Sequence, residues 1–512
     1  MGALTMKLIK ALFSRVTFMI LMAVLEVLIV ISVFHWFGEH AGWIEGILRI
    51  LSAVIVLGIV KNSRHLSSDM IWILAIMAFP IPGTAVYLLL GANLLTSRTT
   101  IGLVRSQISS KHYYVQDEDV KQELLQEHPE VKGQYHYISE SQGFPFYRNT
   151  GYTYYPCGEA GYPAMLEALR GAEKYIFLEY FIVEEGQMWN GMTEIMEEKA
   201  KQGVDVRVLY DDMGSFTTLS FKYARTLEEK GIKCIPFNRI NPILGIIMNH
   251  RDHRKIMVID GKTAFSGGVN LADEYINVKP KYGYWKDNII RITGNAVWSY
   301  TVLFLTHWNA LRKTDEDFTV FRVQQEEDGH DGYIAPYGET PLGSNEITAQ
   351  NVYVGILNQA TQYCYIMTPY LIIDTELLNA LILAAKHGAD VRILTPGIPD
   401  KKLVFQITRS YYRPLIEGGV RIFEYTPGFV HSKVFVSDDR CAAVGTINLD
   451  YRSLYLHFEN GTYLYGSEKV MDVKNDFLEA LESSHEVTMK EIGIHPLKEF
   501  FMGVLRIFAP LM

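Results

Sequence analysis

The sequence between about residues 150 and 490 contains the same pattern twice, and this internal repeat most constrains the fold. In each copy an amphipathic helix precedes an apolar strand, a glycine ends the next helix, and further apolar strands follow. Strands that alternate with helices of about 10–15 residues indicate α/β units with a largely parallel sheet. Two such units in tandem predict a pseudo-twofold dimer within one chain. The matching segments are 160–183 and 351–374, 203–212 and 388–397, 231–237 and 419–425, and 253–271 and 431–449.

The last repeated segment carries the side chains with chemical potential. Counted from its histidine, each copy places a lysine at +2, an aspartate at +7, a glycine at +14 and an asparagine at +17. One such match is a weak signal, but two copies in register are a strong one, because exposed strand faces do not keep five matched positions. The residues are His253, Lys255, Asp260, Gly267 and Asn270 in the first copy, and His431, Lys433, Asp438, Gly445 and Asn448 in the second.

This spacing suits phosphodiester chemistry. Residues i and i+2 of a strand point to one face, so the histidine and lysine of each copy share a face. If the halves pack about a twofold axis, one imidazole can attack phosphorus and the other can protonate the leaving alkoxide. The lysines and the asparagine amides can hold the non-bridging oxygens. The aspartates complete the predicted catalytic set, although their position at a strand end favours a role in tying down the following turn.

Composition argues against several other classes of protein. The net charge of −9, from 48 basic and 57 acidic residues, argues against a general binder of nucleic-acid backbones. The four cysteines are far apart and show no CxxC spacing, which excludes a disulfide framework and argues against a zinc site. The motifs contain no carboxylate cluster that would hold a metal ion, so neither a metal nor another cofactor is expected.

The first hundred residues are much more apolar than the rest. Apolar stretches occupy residues 16–34, 50–60 and 71–90, and a helix that crosses a bilayer core needs about 20 such residues. The first stretch is predicted to span the membrane, and the second spans it if its polar flanking residues lie at the interface. The third has sufficient length, but the sequence Pro-Ile-Pro-Gly interrupts its centre.

Lysine and arginine predict how this region is oriented. Basic residues place the N terminus and the loops after the second and third stretches inside. The loop at 35–46 has neither lysine nor arginine and is therefore predicted to lie outside. Three full spans cannot satisfy these four constraints. We therefore predict two spans and a third segment that enters the membrane and returns at its proline break, with the large domain on the cytoplasmic side. Three full spans, the alternative, would place that domain outside.

The duplicated motif resembles that of the phospholipase D superfamily, whose mark is H-x-K-x4-D with a downstream glycine and asparagine. Within the superfamily the chain is similar to the bacterial cardiolipin synthases, through FLEYFIV, RDHRKIMVIDG, YWKD and HSK…GTINLDYRS. The resemblance covers residues from about 150 to 490. It implies an α/β fold of two tandem phospholipase D-like α/β/α repeats that form a pseudo-twofold dimer, preceded by N-terminal transmembrane helices in the bacterial plasma membrane.

The resemblance also implies a reaction and its substrates. Such enzymes transfer a phosphatidyl group from one phosphatidylglycerol to another and release glycerol, through a phosphohistidine. By analogy His253 is the expected nucleophile, and the other histidine serves as acid and then base. The family's orienting carboxylates are assigned to Glu459 for His431 and to Asp287 for His253. The expected partners are phosphatidylglycerol, other anionic phospholipids and the membrane. The sequence does not identify the acceptor, so a hydrolytic phospholipase D, or another phosphatidyltransferase, is the alternative.

These observations predict five regions. For the C-terminal region, docking on the catalytic core is the alternative to an interfacial helix. The oligomeric state is left open. The regions are a membrane anchor at 1–95, a linker at 96–150, a first repeat at 151–335, a second repeat at 336–490 and a C-terminal apolar, interfacial helix at 491–512.

Overall fold

The chain forms two compact units in the computed structural model. One comprises residues 1–97 and 238–249, and the other comprises residues 98–237 and 250–512. The predicted span at 16–34 lies outside the described residues. The described residues are 42–62, 66–88, 98–148, 150–239, 250–323, 325, 331–342, 346–492, 503–506 and 509.

The described part of the first unit is helical. Its helices are Gly42–Asn62, Leu66–Ala78 and Pro80–Val86. The apolar stretch 50–60 lies within the first of them, and the stretch 71–90 is divided at Phe79, where the proline break was predicted. Proline lacks an N–H group and is favoured at the first helical position, which explains why one helix ends there and the next begins. Within the described ranges, no helix combines the length and the apolar character needed to cross a membrane.

The second unit is built on two sheets, one from each half of the repeat. The strands are β1 Tyr152–Tyr155, β2 Tyr175–Tyr180, β3 Asp205–Asp211, β4 Lys233–Phe237, β5 Arg251–Asp252, β6 Lys255–Ile259, β7 Thr263–Gly267, β8 Tyr284–Lys286, β9 Ile289–Thr293, β10 Tyr333–Glu339, β11 Tyr363–Met367, β12 Asp390–Pro396, β13 Arg421–Tyr425, β14 Gly428–Val430, β15 Val434–Ser437, β16 Cys441–Gly445, β17 His457–Tyr465 and β18 Ser484–Glu486.

The order of strands confirms the repeat. The first sheet runs β1-β9-β7-β6-β2-β3-β4, and the second runs β10-β17-β16-β15-β11-β12-β13 with β18 added at its edge. The prediction of a largely parallel sheet is wrong, because in the strand order of each large sheet only three neighbouring strands, β2-β3-β4 and β11-β12-β13, pair in parallel and the other neighbours are antiparallel. After the third parallel strand of each half, the chain returns through antiparallel hairpins, which a helix-strand alternation read from sequence does not reveal.

Helices cover both sheets, and the halves share one core. Helix Val297–Arg312 is buried along most of its length and belongs to the same apolar cluster as Val434 and Leu464 of the second half. The helices of the second unit are Arg98–Ser110, Glu118–Glu127, Lys132–Tyr135, Gly158–Arg170, Gln187–Lys201, Tyr223–Glu229, Val297–Arg312, Thr348–Gln359, Thr375–Lys386, Lys402–Ser410, Tyr412–Glu417, Tyr451–Tyr455, Val470–Glu482 and Met489–Ile492, with short 3₁₀ or π turns at 111–113, 129–131, 136–141, 273–276 and 318–321.

The segment at 96–150, predicted to be a linker, is part of this core. Helix Arg98–Ser110 packs on helix Val297–Arg312, where the Ser106 hydroxyl donates to the Thr306 carbonyl at 2.7 Å. Leu124 and Val131 are fully buried in the core of the second half. The linker prediction is therefore wrong. Polar residues outnumber apolar ones in this segment because only one face of each helix is covered.

The described residues of the C-terminal segment dock on the second half. Ala509 is buried in its core, and the Arg506 guanidinium lies 4.1 Å from the ring centroid of Tyr411. These contacts match the docking alternative rather than the predicted interfacial helix.

Candidate active site

The two halves exchange short strands beside each motif. Strand β5, which leads into His253, pairs in parallel with β17 of the second half, and β14, which leads into His431, pairs in parallel with β8 of the first half. The backbone N–H of His253 donates to the Phe458 carbonyl at 2.9 Å, and that of His431 donates to the Lys286 carbonyl at 2.7 Å. Each histidine is thus held by a backbone hydrogen bond to the opposite half. The residue that accepts this bond directly precedes a buried carboxylate, Glu459 or Asp287.

Those carboxylates orient the imidazoles in crossed pairs. Nδ1 of His253 lies 2.8 Å from Oε1 of Glu459, and Nδ1 of His431 lies 2.6 Å from Oδ2 of Asp287. The predicted pairing of Glu459 with His431 and of Asp287 with His253 is therefore wrong. Distance along the sequence favoured partners within one half, whereas the strand exchange brings each carboxylate to the histidine of the other half. With Nδ1 bound to a carboxylate, Nε2 of each ring is left for chemistry.

The surroundings of the two carboxylates differ. Glu459 accepts hydrogen bonds from the Ser453 hydroxyl at 2.6 Å and from the Thr446 hydroxyl. Asp287 accepts one from the backbone N–H of Asn288 at 2.9 Å. Gly268 occupies the position equivalent to Thr446, and a Cβ there would overlap the Asp287 carboxylate. The sequence difference between the two copies at this position therefore reflects two ways of holding a carboxylate.

Both motif lysines are buried behind their histidines. Nζ of Lys255 donates to the His253 carbonyl at 2.7 Å, and Nζ of Lys433 donates to the His431 carbonyl. Burial lowers the pKa of Lys255 to about 8 and that of Lys433 to about 7. An anionic group bound beside these two amines would raise their pKa values again and so keep them positively charged.

The imidazoles interact electrostatically as one group. Burial, together with the charge of Lys255 and weaker effects of Lys433 and His431, holds the pKa of His253 well below its usual range. Burial and the adjacent Lys433 lower the pKa of His431 to about 4, against the opposing effect of Asp287. The histidines and lysines of the two copies therefore lie close enough to influence one another, and both rings are neutral near pH 7.

Neighbouring rings form the walls of the site, and sequence reasoning missed most of them. The Phe181 ring centroid lies 4.9 Å from that of His253, and the Trp285 centroid lies 5.4 Å from that of His431. His457, whose ring centroid is 5.7 Å from that of His253, is a third buried imidazole at the site. Its position two residues before Glu459 on β17 was the available signal, since residues i and i+2 share a strand face.

The asparagines are placed differently from one another. Oδ1 of Asn270 accepts the Ile182 N–H at 3.0 Å, and its Nδ2 donates to the Tyr275 hydroxyl at 2.8 Å. The Tyr275 ring lies 5.4 Å from that of His431, so Asn270 of the first half supports the histidine of the second. Asn448 donates to the Asp450 carboxylate. A direct role of either amide in holding substrate oxygens stays a prediction.

The motif aspartates bind backbone rather than surrounding the histidines. Each begins a tight hairpin turn with a positive φ, 53° at both Asp260 and Asp438. The Asp260 carboxylate accepts the backbone N–H groups of residues 173–175 at 2.7–2.8 Å, and Asp438 binds residues 361–363 in the same way. Their inclusion among the catalytic residues is corrected: each carboxylate ties the turn that it begins to the loop before the neighbouring strand.

Replacing Asp260 by alanine is expected to cost stability rather than chemistry. The change leaves three backbone N–H groups without their acceptor, and we expect a loss of about 2–4 kcal/mol in the free energy of unfolding. Thermal unfolding and kcat per folded molecule are the measurements. Asp260→Asn keeps an acceptor oxygen and tolerance of positive φ, and should lose less. A large fall in kcat at unchanged stability would contradict this role.

The Gly268→Ala variant is expected to lose most activity. Its Cβ would overlap the Asp287 carboxylate and lie 2.9 Å from the His431 carbonyl, so the carboxylate must move away from the imidazole. Loss of such an orienting contact lowers kcat by about 10²-fold or more. Gly133→Ala is the matched control, because a Cβ there meets no atom within 4 Å. Equal activity of the two variants would show that the close approach at Gly268 is unimportant.

The buried lysines predict a fall of kcat/KM on the alkaline side. Lys433 and Lys255 lose their charges above pKa values of about 7 and about 8, and a neutral amine cannot hold an anionic phosphodiester. We expect kcat/KM to be highest near or below neutral pH and to fall as pH rises through these values. The measurement is a pH profile, with thermal unfolding at each pH as the control. A profile that is flat between about pH 6 and about pH 9 would contradict it.

Comparisons with known proteins agree with this geometry. The family model described as "Cardiolipin synthase, PLD-like domain" matches residues 165–292 and 353–481. The cardiolipin synthase of Halalkalibacterium halodurans is 33% identical over 466 residues, which cover 88% of this chain and 90% of that one. The cardiolipin synthase of Geobacillus thermodenitrificans is 32% identical over 505 residues, 98% and 99% of the two chains.

A third relative and a solved structure extend the comparison. A protein of Streptococcus mutans without an assigned function is 45% identical over 460 residues, 89% of this chain and 99% of its own. The crystal structure of the phosphatidylserine synthase of Haemophilus influenzae shares the fold, with a TM-score of 0.56 and 16% identity, over 70% of this chain and 95% of that one. The chain belongs to the cardiolipin synthase family, whose phospholipase D-like domain it carries twice.

Proposed function

We propose that the protein transfers a phosphatidyl group from one phosphatidylglycerol to another, giving cardiolipin and glycerol through a phosphohistidine. The crossed pairing of two imidazoles with buried carboxylates, next to two buried lysines, is the observation that carries the proposal. The names of the relatives support the choice of lipid substrate and of transfer over hydrolysis.

The first step forms the covalent intermediate. Nε2 of His253, assigned as the nucleophile by family resemblance, attacks phosphorus as the bond from phosphorus to the glycerol oxygen breaks. His431 donates its proton to the departing glycerol oxygen. Both rings are neutral in the empty site, so the proton enters with the anionic substrate, whose charge raises the pKa of the imidazoles. Asp287 stabilises the protonated form of His431.

The second step reverses these roles. Neutral His431 accepts the proton of a hydroxyl group of the second phosphatidylglycerol, whose oxygen attacks phosphorus and breaks the bond to His253. Lys255 and Lys433 neutralise the charge that develops on the non-bridging oxygens in both steps. Water in place of the second lipid would give phosphatidic acid, the product of a hydrolytic phospholipase D.

We also propose that the N-terminal unit anchors the enzyme in the bacterial plasma membrane. Its described helices expose large apolar side chains, and Ile50, Leu57 and Met77 are each 68% exposed. Two spans and a third segment that returns at its proline break would leave the catalytic unit cytoplasmic. A cysteine introduced at exposed Glu118 should then react with an impermeant thiol reagent in inverted vesicles and not in intact cells. The opposite labelling would place the catalytic unit outside.

One assay tests the function. The detergent-purified protein is incubated with phosphatidylglycerol as its sole lipid, and the lipids and released glycerol are quantified. Cardiolipin and glycerol in equal amounts support transfer. Phosphatidic acid and glycerol without cardiolipin would overturn transfer in favour of hydrolysis.

A further inference from the structure

A second group of ionisable side chains lies behind His253, away from the reacting atoms. Glu179 and His307 are each fully buried, and Nδ1 of His307 lies 2.7 Å from Oε1 of Glu179 and 3.6 Å from Oδ2 of Asp252. Nη1 of Arg254 is 3.9 Å from the same Glu179 oxygen. We call this group the buried charge cluster, and its members are Glu179, Asp252, Arg254 and His307.

The second half of the fold has no counterpart of the buried charge cluster. Glu179 and Met367 are the fifth residues of the equivalent strands β2 and β11, and Asp252 and Arg254 flank His253 as Val430 and Ser432 flank His431. Phe304 stacks on β2 and Phe477 stacks on β11, so His307, three residues later, corresponds to Ala480. The counterparts Met367, Val430 and Ala480 pack in one apolar cluster. The first half therefore buries charged side chains where the second half buries uncharged ones, three of them apolar.

Burying these groups is costly, because several lack good hydrogen bonds. Within the described residues, both carboxylate oxygens of Glu179, Oδ2 of Asp252 and both ring nitrogens of His307 have no well-aligned hydrogen-bond partner. Buried charges that are paired with opposite charges but lack hydrogen bonds destabilise a fold relative to apolar residues of similar size. A cost present in only one of two equivalent halves indicates a use specific to that half.

The charge balance favours a proton over a metal ion at this place. Burial and the charge of Arg254 act to lower the pKa of His307, but the two carboxylates outweigh them and raise it. When His307 is protonated and both carboxylates are ionised, two anions face two cations and the cluster sums to zero. Burial and the neighbouring Asp252 act against this state, because they raise the pKa of Glu179 to about 7. A divalent cation in place of that proton would leave an excess positive charge among fully buried side chains.

The buried charge cluster holds the backbone on both sides of His253. Oδ1 of Asp252 accepts the backbone N–H of Arg254 at 3.3 Å, which forms a bridge across the histidine. Nε of Arg254 donates to the carbonyl of Glu459 at 3.3 Å, so the cluster also contacts the backbone of the residue that orients the imidazole. The side chains on either side of His431, Val430 and Ser432, carry no charge.

We propose that the buried charge cluster positions His253 and its carboxylate for reaction, and that the second histidine works without an equivalent. The cluster touches no reacting atom, so its members are positioning residues. The inference rests on the proposed function, since it concerns one step of that reaction. It makes the two halves, which share their catalytic groups, unequal in how firmly those groups are held.

The second half supplies the sharpest test, because its own residues can be transplanted into the first. The variant Glu179→Met, Asp252→Val, Arg254→Ser and His307→Ala replaces the whole cluster at once. We expect an unfolding temperature equal to or above that of the wild type. We also expect kcat to fall by about 10²-fold, since small displacements of reacting groups cost that much, with KM changed by less than about 3-fold. The defect should appear in the same half-reaction as that of Glu459→Gln.

Three further measurements make the result decisive. Met367→Leu perturbs the equivalent position of the second half and should leave kcat within about 2-fold. If the fourfold variant does not fold, Glu179→Gln, which keeps size and shape, should still lower kcat without raising KM. A fourfold variant with wild-type kcat would overturn the positioning role while leaving cardiolipin synthesis intact. One equivalent of metal in the wild type that the fourfold variant lacks would also overturn it.

Discussion

Alanine at His253 or at His431 should abolish cardiolipin formation and any hydrolysis of phosphatidylglycerol. Each ring supplies a bond or a proton that no other described group at the site supplies, so we expect kcat to fall by about 10⁴-fold or more in each variant. The double variant should be no worse than either single one, because the two rings act as a unit. Glycerol release and cardiolipin formation, measured separately, test both half-reactions.

The two histidine variants should fail at different steps. With His253 as the nucleophile, His431→Ala accumulates phosphorylated protein when given a phosphatidyl donor with a good leaving group, and His253→Ala does not. Exposed His387, replaced by alanine, is the control for loss of a surface imidazole and should retain full activity. Turnover above about one hundredth of wild type in either catalytic variant would refute the two-histidine mechanism.

Neutralising either orienting carboxylate is the second large effect that we expect. Glu459→Gln and Asp287→Asn keep the shape of the side chain but no longer stabilise a protonated imidazole or fix its tautomer, and such changes lower kcat by about 10⁴-fold in related histidine-carboxylate pairs. The crossed geometry makes the outcome specific. Glu459→Gln should resemble His253→Ala in covalent trapping, and Asp287→Asn should resemble His431→Ala.

This pattern tests the crossing independently of which histidine is the nucleophile. If His431 attacks phosphorus, the two trapping phenotypes exchange, but each carboxylate variant still follows the histidine of the opposite half. Thr446→Ser is a matched control, since it retains the hydroxyl that donates to Glu459, and should keep most activity. If each carboxylate variant instead showed the trapping phenotype of the histidine in its own half, the result would contradict the structure.

The sequence was sufficient to predict which imidazoles and lysines meet at the candidate site. Two copies of one motif in register identified the imidazoles and lysines, although both histidines lie between two strands rather than within one. The carboxylates Asp287 and Glu459 were identified through family resemblance. Which imidazole each carboxylate contacts could not be predicted, because that depends on an exchange of strands between halves. Neither the spacing of the motif nor local propensity encodes such an exchange.

Other differences have equally physical causes. The polar segment at 96–150 buries only one face of its helices, so its average composition resembles that of a linker. The apparent α/β alternation hides the antiparallel hairpins, because the three residues that join β6 to β7 at Asp260 are too few to register as a separate element. The buried charge cluster has no signature in sequence, since its members come from three distant elements and face one another only after folding.

The exchange of strands at β5 and β14 makes each histidine depend on a second copy of the repeat. A chain with a single copy would present a histidine whose carboxylate belongs to another molecule, and its activity would depend on association and therefore on concentration. Fusing the copies turns that encounter into an intramolecular one, with an effective concentration of about millimolar or above. Specific activity should therefore stay constant on dilution. Either half expressed alone would hold a histidine that can obtain an orienting carboxylate only from a second molecule.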